Sequence, residues 1–170
     1  AIGSTLVALK SENAGFGDIV ALKKDLDSSS IEHVILLTPA NPVFDAPADL
    51  DFITSLQNAK SRIHLGLRTD ATAHAATWHI PAAHYLESWS DARSATGVHT
   101  LIQPMILPLY EACVSEFELL SALLDGKLVT GNESSAFAAV RKTVGGDDAV
   151  WKKALREGFV ADSKQETATP

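Results

Sequence analysis

Two short apolar runs, EHVILLTP at residues 32–39 and SRIHLGL at residues 61–67, constrain this chain more than any other feature. The first is continuous and β-branched enough to be a strand covered on both faces. Between the runs a helix is predicted, with Pro47 near its start and Leu50, Ile53 and Leu56 beside Phe52 on one apolar face. Strand, helix, strand in so short a span is a βαβ unit, which requires parallel strands and a right-handed crossover. Ligands bind at the carboxyl ends of such strands. Those ends deliver TPANP and RTDAT, which place Thr38, Asn41, Asp70 and Thr72 on one rim.

Helical spacing of Ile19, Leu22 and Leu26 in residues 17–27 predicts a helix before the first strand, broken by Ser28–Ser30. A third strand is predicted at VHTLIQP, residues 98–104. The last third reads as helical. Ser115 and Glu118 form a capping-box pattern ahead of Phe117, Leu120 and Leu124, and Gly126 closes that helix. A second helix runs from Ser134 to Val144 and stops at Gly145–Gly146. Asp147 or Asp148 caps a final one, which carries Trp151 and Leu155 and ends at Gly158. The fold class expected is α/β: a parallel-sheet, Rossmann-like three-layer domain with a helical C-terminal portion. Residues 1–160 form that single domain, and the polar tail at 161–170 is expected to be disordered.

A chain of 170 residues can bury one sizeable core. Its net charge of -7, with 14 scattered Lys and Arg, excludes a nucleic-acid surface, which needs clustered cations. The apolar runs are far short of the roughly 20 residues that cross a bilayer. The opening AIGSTLVALK has neither an initiator Met nor a secretory pattern, so a piece excised from a larger subunit is expected. Cys113 is alone in the sequence, which leaves no internal disulfide and no Cys-ligated cluster within this segment; it reads as a small buried hydrophobe.

Titratable and aromatic residues concentrate between Asp70 and Pro104. His74, His79 and His84 recur every five residues, a spacing that points them apart on a helix or a strand, so no metal site is expected. TWHIP reads as a short strand with Trp78 and Ile80 on one face and His79 on the other. After it AAHYLESW reads as a brief helix that pairs His84 with Glu87, and Asp91 is expected to pair with Arg93. No nucleophile elbow, Walker loop or GxGxxG is present, and no catalytic residue is assigned.

The strings VILLTPANPVFDAPADLDF, HLGLRTDATAHAATWHIPAAHYLESWSDA and GVHTLIQPMILPLY resemble the molybdopterin oxidoreductase superfamily. More narrowly they resemble the large molybdopterin-type and iron-sulfur subunit of respiratory alternative complex III. The resemblance covers about residues 16 to 125 closely, and AVWKKALREGFV more loosely. It implies one α/β domain of a larger subunit active in respiratory electron transfer, a scaffold or cofactor-cradling module without activity alone. It also implies that Thr38, Asn41, Asp70, Thr72 and His79 would face molybdopterin guanine dinucleotide in the parent protein, with none held by this fragment. Its implied partners are the rest of its own subunit, including the iron-sulfur domain, and other respiratory subunits. The parent would be membrane-associated on the periplasmic side, and the fragment soluble. Two departures stand out: Ala71 where the family has Glu, which removes a hydrogen-bonding group from the rim, and Ser90 where it has Gly. An active cofactor-binding domain is the alternative, and a small His-metal hydrolase a weaker one.

Overall fold

The computed structural model describes residues 17–37, 40–94, 97–131 and 134–163. Among these, internal packing gives two compact units, 17–83 with 110–116 and 84–109 with 117–163.

The first unit holds the parallel sheet. Helix α1, Ile19–Asp27, starts where the Asp18 side chain accepts a hydrogen bond from the Ala21 N–H at 2.8 Å. Strands β1 (His33–Leu37), β2 (Ser61–Gly66) and β3 (Trp78–Pro81) pair parallel in that order. The class is α/β, as the two apolar runs predict. Strand order follows chain order with no reversal, so these three strands make no topological switch point.

Val34 and Leu36 bury against Leu26, Phe52, Leu56 and Ala59. Their neighbour Ile35 is 41% exposed and Trp78, beside it on the same face two strands away, is 67% exposed. The run that reads as covered on both faces is therefore packed on one, and its burial alternates.

A short helix not expected from the sequence, α2 (Pro42–Asp45), comes first, and the long helix predicted from Pro47 is replaced by two short pieces, a 3-10 turn at Ala48–Leu50 and α3 (Phe52–Leu56). Asp51 causes the break: at φ 43° and ψ 49° it is left-handed, a conformation Asp tolerates better than most residues. The turn buries Phe52 and Leu56 and leaves Ile53 half-exposed, so the face expected from spacing does not form. Helix α4 (Ala71–Ala75) then leads into β3.

The second unit contains the antiparallel pair β4 (Ser90–Arg93) and β5 (His99–Ile102), followed by helices α5 (Glu116–Asp125), α6 (Ser135–Val144) and α7 (Asp148–Glu157). The strand predicted at VHTLIQP exists, but its partner is β4 and not the parallel sheet. Helix ends fall where the sequence marks them. Ser134 Oγ accepts from the Phe137 N–H, Asp147 Oδ1 accepts from the Ala149 and Val150 N–H groups, and Gly158 closes α7 in the left-handed region. Leu101, Val140, Trp151 and Ala154 form the core here, packed by Trp89 and Phe137. No helix among the described residues is long and apolar enough to cross a membrane.

Candidate functional site

The carboxyl ends of β1 and β2 bring together three of the predicted rim residues. Asn41 precedes α2, and its Oδ1 accepts from both the Thr72 backbone N–H (3.1 Å) and the Thr72 hydroxyl (2.7 Å). The same hydroxyl oxygen accepts from the Val43 N–H at 3.1 Å. Asn41 also ties its own loop: its N–H donates to Asp45 Oδ2 at 2.9 Å, and its carbonyl accepts from the Phe44 and Asp45 N–H groups. Thr72 is fully buried. Asp70 caps α4 by accepting from the Ala73 N–H at 2.9 Å.

The consequence is a clamp between two loops. A buried backbone N–H left without an acceptor costs about 1–3 kcal/mol, so Asn41 does more for stability than an exposed turn residue would. Thr38 lies outside the described residues. Beside the clamp is a cavity of about 270 Å³ lined by Ala40, Asn41, Asp45, Gly66, Leu67, Arg68 and Asp70. Sites that enclose a drug-sized ligand span roughly 300–1,000 Å³. This one lies just below that range. Arg68 is the cation on its wall; Asp45 and Asp70 are its carboxylates.

His79 lies on β3 and turns to another histidine, His64, with the two Nδ1 atoms 3.2 Å apart. Neither His74, exposed on α4, nor His84 joins that pair. Among the described residues no group of three or more His, Cys, Asp or Glu could hold a metal ion.

The expected helix at AAHYLESW does not form. Ala83 N–H instead bonds the Val114 carbonyl and Ala82 bridges the same residue, which holds the chain extended as it leaves β3. Without the helical turn, His84 and Glu87 meet differently from expectation. The Glu87 carboxylate accepts from the His84 backbone N–H (2.9 Å) and from the Leu109 N–H (3.1 Å), so it braces a loop, while the imidazole packs on Tyr85 and its Nδ1 accepts from the Leu86 N–H at 3.3 Å.

Asp91 pairs with His99 and not with Arg93. Its Oδ2 lies 2.6 Å from His99 Nε2, and His99 is buried. The register explains the choice: Arg93 stands opposite His99, and Asp91 is the diagonal neighbour on the same face. His64 and His99 are the residues sequence reasoning missed. His99 occupies a buried position of the alternating strand HTLI, whereas His64 stands in a run of three consecutive buried residues, His64 to Gly66, which no alternation marks. Compared with protein families and with curated proteins, the chain matches none.

Proposed function

We propose that this chain is one domain of the large subunit of a molybdopterin-type oxidoreductase acting in respiratory electron transfer, and that it serves there as a scaffold without activity of its own. The sequence strings from VILLTPANP to LESWSDA support the ancestry. The scaffold role rests on one observation. The rim residues that would face a cofactor spend their polar atoms on each other, Asn41 on Thr72 and Asp70 on the first turn of α4. A side chain already committed to a buried clamp gains little by switching to a ligand. The partners in this reading are the rest of its own subunit with an iron-sulfur domain, and through it a membrane-bound assembly on the periplasmic side.

Expression from the native reading frame tests this. The scaffold reading expects a longer polypeptide that purifies with iron and acid-labile sulfide; a native protein free of both overturns it. A second reading, a cofactor-binding domain of an active molybdoenzyme, draws on the cavity beside Arg68, whose cation and two carboxylates suit a guanosine group. Calorimetric titration with guanosine diphosphate separates the two: saturable micromolar binding favours the second, and no heat up to millimolar favours the first.

A further inference from the structure

The unit that holds β4 and β5 carries an apolar loop that neither the rim nor the aromatic core uses. Past β5 the chain runs through Met105, Ile106, Leu107, Pro108 and Leu109, and all five are exposed. Met105 and Leu109 are 75% exposed and Leu107 is 72% exposed. Successive residues point to different sides of a backbone, so these side chains do not share one flat face.

The loop is nevertheless held in shape. The Met105 and Ile106 N–H groups both donate to the Leu86 carbonyl, at 2.8 and 3.1 Å, and the Leu109 N–H donates to Glu87 Oε1 at 3.1 Å. Pro108 has no N–H. Leu107 is thus the tip residue whose N–H has no partner among the described residues. A loop whose donors are spent at its base loses little when its tip leaves water, which is the condition for entering an apolar medium. Tyr85, 62% exposed, adjoins the Leu86 that anchors the loop. Its ring, apolar with one polar end, suits the level of lipid headgroups.

We propose that the loop Met105–Leu109 is a wedge that inserts shallowly into a lipid bilayer of uncharged headgroups. A fluid acyl layer surrounds side chains that point in several directions, whereas a flat protein face covers one side of them. Charge selects the lipid. No Lys or Arg occurs from Ser94 to Gly126 and the net charge is -7, so the loop lacks the cationic flank that draws a protein to an anionic surface. Binding is weak and reversible, in the range of a single acyl chain, because a few apolar side chains supply it. It is insensitive to salt, because no ion pair forms.

Flotation of the chain with phosphatidylcholine vesicles at about 1 mM lipid tests the wedge. A bound fraction is expected that survives high salt and falls when phosphatidylglycerol replaces part of the phosphatidylcholine. Leu107→Asp should weaken partition by about tenfold. Leu124→Asp, which changes an 86% exposed leucine on α5, should leave it unchanged. Both side chains are open to solvent, so neither change takes packing from the core, and matching urea melts check that. No vesicle binding, tighter binding to phosphatidylglycerol, or the same loss in both variants overturns the proposal. A dimer seen by analytical ultracentrifugation without lipid, and abolished by Leu107→Asp, also overturns it, since the loop would then serve a second copy of the chain.

A measurement on the unsubstituted protein does not depend on any variant folding. Met105 is the chain's one methionine, so its methyl group is a unique NMR reporter of the loop. Phosphatidylcholine with a nitroxide on its acyl chain should broaden that signal; an unbroadened Met105 methyl in vesicle-bound protein overturns the wedge.

Discussion

In the parallel unit one buried polar side chain, Thr72, sits where strands end, and another, His64, lies within β2. Asn41 and Thr72 clamp two loops at the strand ends, and hydrogen bonds to backbone groups use most of their capacity. In the hairpin-and-helix unit the buried polar pair, Asp91 with His99, sits within the strands themselves, and the helices pack around aromatic rings. Trp89, Phe137 and Trp151 have centroids 5.2 to 5.9 Å apart, and the Arg141 guanidinium lies 5.3 Å over Trp151. The contrast teaches where each unit is fragile. One depends on a few hydrogen bonds at loops, the other on volume and on the hydrogen bond that a buried imidazole makes to Asp91.

The largest effects are expected in the aromatic unit. Trp151→Ala removes the ring at the centre of that cluster and should cost about 3–5 kcal/mol of unfolding free energy in a urea melt. Asp91→Ala should follow at up to about 3 kcal/mol, because it leaves the buried His99 Nε2 without its hydrogen-bond partner. If Asp91→Ala cost no more than a surface change, the pair would be ornament and the contrast would collapse.

The clamp should yield a smaller loss. Asn41→Ala leaves the buried Thr72 N–H and hydroxyl without their acceptor, at about 1–3 kcal/mol. Gly66→Ala belongs in the same range, since its Cβ drives into the His64 ring and overpacking costs about 1–3 kcal/mol. Thermal melts of the two variants sharpen the comparison: both should lower the midpoint less than Trp151→Ala does.

Helix punctuation was the most legible part of the fold. Asp18, Ser134, Asp147 and Gly158 act locally, so their chemistry is complete within a few residues and needs no tertiary partner. The helix that spacing predicts from Pro47 breaks because Asp51 turns left-handed, a choice set by how Phe52 and Leu56 reach the core and not by spacing. At the rim, sequence placed Asn41, Asp70 and Thr72 together because strand ends converge by topology. That these residues bind one another rather than a ligand depends on distances between loops, which no local pattern encodes. The partner of Asp91 was hidden for a related reason: it lies across a hairpin whose register the sequence leaves open.

The smallest predicted effect lies at the edge of the parallel unit and tests whether its surface polar groups share the clamp's logic. Lys23 Nζ donates to Asp27 Oδ2 at 2.6 Å and to Ser55 Oγ at 2.7 Å, a bridge from α1 to α3. The Lys23 ammonium first, and the Ser55 hydroxyl next, hold the Asp27 carboxyl below its usual value of 3.8. A carboxyl lowered in the folded state binds fewer protons than in the unfolded chain, so it contributes stability above its unfolded pKa and loses it as pH falls through the folded one. Lys23→Met should shrink that loss, flattening the acid limb of the stability curve below about pH 4 by lowering the neutral-pH midpoint slightly, and by less than Asn41→Ala does, because the carboxylate is open to solvent. High salt should flatten it as well, since the bridge is open to solvent. A midpoint that drops at neutral pH as far as it does in Asn41→Ala would mean that the bridge, too, is part of the unit's interior and not of its surface.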